Sequence, residues 1–247
     1  MGKLAIVEPM AIVSAIGPGT VPGNLLTPNP REVWQSPAAT GLYYVEFDMG
    51  QEVTVDSVFA GNVSPQITFA ALYTQTGPGG LGRVRVGDLT LGDASAPVRH
   101  GFTVPDSPLT SRYFSIRFST TGGAGTAGVV AFGKAFTPFW GHEWGAGRSV
   151  EDTSVVERLK GGGFGIDEGT IAGGYSWTLG DLSDEELQQL YGIVRRLGIA
   201  RSVLVVEDVE QTIGLNERLH WGLFNRLETY ERLSPGLSRW AFKIWDW

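Results

Sequence analysis

No cysteine occurs among the 247 residues, so disulfide stapling and thiolate catalysis are both excluded, and redox chemistry gives no guide to compartment. Histidine is scarce. The three residues, His100, His142 and His220, have no partner at metal-ligand spacing. Glu143 follows His142 directly, but neighbours on a strand point to opposite faces and would not share a metal. No apolar run approaches the ~20 residues that a membrane-crossing helix needs. The opening MGKLAIVEPMAIVSAIG has the outline of a signal peptide, yet Glu8–Pro9 breaks its apolar core, so neither an export signal nor a membrane partner is expected.

A positive field is missing as well. The net charge is −7, with 8 basic and 9 acidic residues over 1–140 and 11 and 17 over 141–247. Neither part suits a phosphate backbone, so nucleic acid is not expected as a partner. No G-x-S-x-G nucleophile motif occurs. The acidic pairs Glu151–Asp152, Asp167–Glu168 and Glu207–Asp208 sit beside turns or strand ends, where carboxylates ordinarily face water. Gly123, Gly125 and Gly128 have dinucleotide-loop spacing but run into the strand-like Val129–Phe132 rather than a helix. KGGGFG at 160–165 lacks the lysine-serine/threonine ending of a phosphate loop and reads as a hairpin tip. No catalytic residue, cofactor site or metal site is therefore assigned, and the chain is expected not to be an enzyme.

What is abundant is turn chemistry. Glycine, at 35 residues, is about twice its average usage, and 13 prolines accompany it. Hydrophobic content of 42% with 18% charge supports a packed core. Strand patterns are expected over 4–7, 11–15, 43–49, 53–60, 66–74, 83–91, 99–104, 111–119 and 128–136. Their spacing leaves no room for parallel crossovers, which need a dozen or more residues. This predicts an antiparallel jelly-roll sandwich over 1–139. In YYVEFDMGQEVTVDSVFAGN, at 43–62, Gly50 is expected to allow a tight reversal between two strands.

Residues 140–247 read as a small α+β domain. SDEELQQLYGIVRRLG carries a capping box, Ser183 with Glu186, and places Leu187, Leu190, Tyr191, Val194 and Leu197 on one face. One helix over about 183–197 is expected, laid on an antiparallel sheet that includes RSVLVVED and SRWAFKIWDW. Of eight tryptophans, Trp221 and Trp240 suit core packing. Trp140, Trp144, Trp245 and Trp247 cluster at the domain junction and at the last residues of the sequence. They are read either as buried at that junction or as anchors of a contact with another subunit.

Several elements over 20–136 occur in a recognisable order: Trp34 and Ser36 as Trp-x-Ser, Asp48-Met49-Gly50, Val55-Asp56-Ser57-Val58, and Ser111-Arg112-Tyr113. In these the chain resembles discoidin-like (galactose-binding-like, F5/8 type C) jelly-roll modules. That resemblance implies a ligand site in loops at one end of the sandwich, often for a sugar or a cation, with no single contact residue transferable. Trp34 and Tyr73 are the near-loop aromatics that could stack on a sugar. The second part is similar in style to tail and baseplate proteins of tailed bacteriophages. This resemblance implies a structural virion protein of the tail tip or baseplate, assembled in the host cytoplasm. It would form homo-oligomers, pack against other tail proteins and possess a possible contact with host surface glycan. A carbohydrate-binding module is the alternative, and a glycosidase or depolymerase the remote one.

Overall fold

A computed structural model describes residues 3–247, which fall into two compact units. One is the chain to Thr137 together with Leu204–Leu219; the other is Pro138–Val203 with His220–Trp247. The protein is mainly β, with antiparallel sheets and little helix.

The first unit contains β1 (Ala5–Pro9), β2 (Ser14–Ile16), β3 (Trp34–Gln35), β4 (Gly41–Val55), β5 (Ser57–Gly61), β6 (Ile67–Gln75), β7 (Val84–Asp88), β8 (Thr90–Leu91), β9 (Gly101–Thr103), β10 (Leu109–Thr120), β11 (Thr126–Ala127) and β12 (Val129–Phe136). One sheet has the order β2-β4-β10-β6-β7. The facing sheet includes β1-β12-β5-β9-β8, and the two form a jelly-roll sandwich. Period-2 alternation builds its core. Val45, Phe47 and Met49 of β4 and Phe114, Ile116 and Phe118 of β10 point inward, while Tyr44, Glu46, Tyr113 and Arg117 point outward. The sheets meet where Phe132 of β12 packs against Phe47 and Phe114, with ring centroids 5.3 and 5.0 Å apart. Each such ring contributes about 1.5–3 kcal/mol by leaving water.

Gly50 does not reverse the chain. β4 runs unbroken through it, and Gly50, at φ 77°, lies in a bulge where the pairing with β10 shifts between Ser111 and Tyr113. A bulge needs the same positive φ as a turn, so the glycine signal could not separate the two. Asp48 fixes the bulge by accepting the Gly50 amide at 2.7 Å and both arms of Arg112 at 2.8 and 2.9 Å. The change of direction falls at Asp56 instead, where the chain passes from one sheet to the other and the Asp56 carboxylate accepts the Ala135 amide.

The Arg112 hydrogen bonds hold the Asp48 carboxyl below its ordinary pKa; partial burial opposes this and the Gly50 amide adds to it. A carboxyl with a lower pKa in the folded chain stabilises the fold above its unfolded value, about 3.9, and loses that contribution as pH falls through the folded value. The stability difference between the native chain and Asp48→Asn should therefore be present at neutral pH and close below about pH 4. Urea melts at several pH values measure it.

The Trp-x-Ser element and the glycine-rich loop form one structural device. Ser36 donates its amide to the Gly125 carbonyl at 2.8 Å, and its Oγ accepts the Gly125 amide at 2.9 Å. A Cβ on Gly128 would lie 2.0 Å from the Pro30 carbonyl oxygen. Gly128 thus serves close backbone approach, whereas Gly123 and Gly125 lie against the side chains of Gln66, Ile67 and Thr120. Gly128→Ala should cost about 1–3 kcal/mol, as overpacking against unyielding backbone does. A lowered chemical denaturation midpoint with unchanged m-value is the expected reading.

The second unit holds β13 (Gly147–Asp152), β14 (Val155–Arg158), β15 (Phe164–Asp167), β16 (Ile171–Ser183) and α1 (Asp184–Leu197). After β17 (Val203–Val206) and the single turn α2 (Leu215–Arg218) come β18 (Leu219–Phe224), β19 (Glu231–Ser234) and β20 (Leu237–Asp246). Its sheet has the order β13-β16-β20-β18, and β19 takes another stretch of the β20 edge. Ser183 and Glu186 make the reciprocal capping box, and Glu186 also accepts the Phe139 amide at 2.8 Å. Leu187, Leu190, Ile193, Val194 and Leu197 are buried, whereas Tyr191 is half-exposed with its ring near Trp240. Tyr175, Trp177 and Leu179 of β16 and Trp240, Phe242 and Ile244 of β20 form an aromatic-rich core.

The expected domain 140–247 is not continuous. Leu204–Leu219 packs with the first unit, where Val206, Val205 and Leu204 of β17 pair with Ala5, Ile6 and Val7 of β1. All four β17 residues are buried, so this apolar β-branched run needs a sheet interior on both faces.

Candidate binding surfaces

Trp34 presents no face to a sugar. It is fully buried, packs at a tilt against Phe118 with ring centroids 5.2 Å apart, and donates Nε1–H to the Pro18 carbonyl at 2.9 Å. Tyr73 lies on the outer face of the five-stranded sheet, not in a loop, and is 8% exposed.

The four tryptophans at the junction and the final residues do not share one buried cluster. Trp144 is 95% exposed and Trp140 61%, which removes burial as an account of either. Trp140 meets Phe139 edge to face, with ring centroids 4.9 Å apart. Trp245 donates Nε1–H to Glu151 at 2.7 Å beside Lys243, and Trp247 donates to Ser202 Oγ at 3.1 Å; both remain exposed.

The second unit also carries a projecting β-arm. The β13–β16 pairing continues beyond Asp152↔Ile171 through Thr153 and Thr170 into the β14–β15 hairpin. Gly162 and Gly163, both at φ 88°, turn its tip. The register sets Val156 opposite Ile166 and Arg158 opposite Phe164 on one face, with Val155, Asp167 and Glu157 on the other. Phe164 and Ile166 are 65% and 66% exposed, and Val156 is equally bare. Arg158 and Lys160 lie toward the tip and Asp152 and Glu168 toward the base, while Glu157 and Asp167 belong to the opposite face. Isolated two-stranded hairpins are marginal in water, so an arm of this kind calls for a packing partner. The triple glycine marked the hairpin tip in the sequence, but the apolar face was missed because VVER and FGID are too short to display a period.

The outer face of the five-stranded sheet in the first unit is the second surface. Register places Tyr44, Arg117 and Ala71 in one row and Glu46, Ser115, Tyr73 and Arg85 in the next. The Arg83 guanidinium lies 4.0 Å from the Tyr44 ring centroid, and Arg117 lies 5.6 and 5.8 Å from those of Phe69 and Tyr73. Such contacts are worth about 0.5–2 kcal/mol each, more when desolvated. Arg85 is neutralised by Asp88. Glu46 accepts the Gln75 side-chain amide at 3.0 Å and the Gly79 and Gly80 amides at 3.1 and 3.0 Å. Arg83 and Arg117 have no carboxylate partner among the described residues. Burial alone would raise the Tyr44 hydroxyl pKa, but hydrogen bonds from the Tyr73 hydroxyl and from Arg117, with the Arg117 and Arg83 charges, outweigh it and hold it below the ordinary tyrosine value.

The acidic pairs do not converge. Glu151 is engaged by Lys243 and Trp245, Asp152 accepts the Ser154 amide, Asp208 accepts the Lys3 and Glu210 amides, and Asp167 and Glu168 lie on the exposed arm. Among the described residues no group of three or more His, Cys, Asp or Glu side chains could hold a metal.

No protein-family model matches the chain, and no curated protein matches it in sequence. Solved structures similar to part of it include the CBM32 of AlyQ in complex with 4,5-unsaturated mannuronic acid, at 19% identity over 50% of this chain and 96% of that one, with a TM-score of 0.40. Another is the family 32 CBM from C. perfringens NanJ in complex with galactose, at 15% identity, 52% and 98% coverage and a TM-score of 0.40. Reduced XRCC1 bound to the DNA pol beta catalytic domain is similar at 18% identity, 52% and 98% coverage and a TM-score of 0.41. At these values the likeness selects no ligand, and the sandwich assignment rests on the chain's own topology.

Proposed function

We propose that this chain is a non-catalytic binding protein in which the second unit performs assembly and the sandwich recognises carbohydrate. Assembly is supported by one observation above others, the projecting arm whose Val156, Phe164 and Ile166 face is bare. A second copy of the chain is the partner that the charges favour. Two arms packed face to face about a two-fold axis perpendicular to their strands run antiparallel, which sets the basic tip of each over the acidic base of the other. Trp140 and Trp144 supply further exposed aromatic area for neighbouring subunits.

The setting we propose is the tail tip or baseplate of a tailed-bacteriophage virion, with assembly in the host cytoplasm. An antibody against the chain should label one end of tailed particles in negative-stain images. Labelling absent from intact particles would remove that setting.

Carbohydrate recognition is supported by the outward, partly exposed Tyr44 and Phe69 rings and the two arginines beside them that have no carboxylate partner among the described residues. A glycan array probed with the full chain tests it, and binding confined to background would remove it.

A further inference from the structure

We propose that the outer face of the five-stranded sheet is a site for an acidic sugar, a pyranose bearing a carboxylate, held by the Arg83 and Arg117 guanidinium groups beside the Tyr44 and Phe69 rings. This rests on the carbohydrate reading above and gives it a place and a ligand class.

Three observations carry it. The first is charge. On this face Arg85 is paired with Asp88 and the Glu46 carboxylate is held by three neutral N–H donors, while Arg83 and Arg117 make no ion pair among the described residues, so cations outnumber carboxylates. The second is hydrogen bonding. The Nε atoms of both arginines are buried and have no partner, and beneath them Ser115 Oγ, fully buried between Glu46 and Tyr73 in the register, has none either. Unmade bonds at buried donors are costly, and a bound acceptor relieves them. A guanidinium offers a planar fork that matches a carboxylate in two-point fashion.

The third is the aromatic setting. Phosphate or sulfate alone would satisfy the arginines but make no use of the rings around them. A sugar ring presents apolar C–H faces to aromatic side chains while its carboxylate reaches the guanidiniums. Arg83 also sits just beyond the Thr76–Gly82 segment, whose Gly79 and Gly80 amides bind Glu46, so one wall of the site is pinned to its floor.

Titration calorimetry on the full chain tests this with an oligo-uronate, its carboxyl-reduced neutral counterpart, inorganic phosphate and an oligo-glutamate peptide. The oligo-uronate should bind, more weakly as salt rises, and the reduced sugar should bind about tenfold or more weakly. Arg117→Gln and Arg83→Gln should each weaken uronate binding about tenfold, and Arg117→Lys should fall between, because it keeps the charge and loses the fork. Should Arg117→Gln fail to fold by circular dichroism, Arg83→Gln provides the same reading. Neutral glycan binding that ignores both substitutions would overturn the acidic site and leave the carbohydrate reading standing. Phosphate or oligo-glutamate binding as tightly as uronate would overturn the sugar assignment. Absence of binding to every glycan would overturn both.

Discussion

Trp34→Ala is expected to remove about 3–5 kcal/mol from the stability of the sandwich, the range for deleting a large buried ring. Trp34 is fully buried, packs against Phe118, and lies in β3 opposite Ala127 of β11. Removing the indole leaves a cavity against Phe118 and deprives the Pro18 carbonyl of its 2.9 Å donor. A marginal domain holds roughly 5–15 kcal/mol in all, so the variant should unfold at a much lower urea concentration or accumulate as aggregate. Trp34→Phe separates the two losses. It fills most of the cavity but leaves the carbonyl unpaired, and should cost about 1–3 kcal/mol. If Trp34 stacked on a sugar, Trp34→Phe would abolish glycan binding while sparing the fold. The structure predicts the reverse, a weakened fold with binding intact.

Charged substitutions on the arm should have the second large effect. Phe164→Asp with Ile166→Asp places two carboxylates on the bare face without touching either core. Loss of an aromatic anchor at an interface centre costs about 2 kcal/mol or more, or roughly thirtyfold in the dissociation constant. Light scattering should then show a chain of 26.6 kDa at concentrations where the native protein is larger. Arg158→Asp alone should also weaken association by placing like charges over the acidic base.

What the sequence disclosed follows from how local its signals are. The helix was legible to its cap because Ser183, Glu186 and Gly198 report on one turn each, and its apolar face repeats over fourteen residues. The sandwich strands were legible wherever alternation lasted long enough, as in β4 and β10. Gly50 was misread because a bulge and a hairpin ask the same positive φ of the backbone. The path of β17 into the first unit was hidden, because an apolar run states that it is buried and not beside which strand. The arginine face was hidden for a related reason. Arg83 and Arg117 are separated by 34 positions, and only the β4-β10-β6 register and the segment after Gln75 bring both to Tyr44. Trp34 was misplaced because a tryptophan beside a turn looks the same whether its ring faces in or out.

Amide hydrogen exchange on the native chain at increasing concentration tests the docking of the arm most directly. Amides of Val155–Arg158 and Phe164–Asp167 should become protected as concentration rises, together with growth in mass, while those of α1 stay constant. Rapid exchange along the arm at every concentration, with the mass of a single chain throughout, would contradict the claim that two copies meet through it.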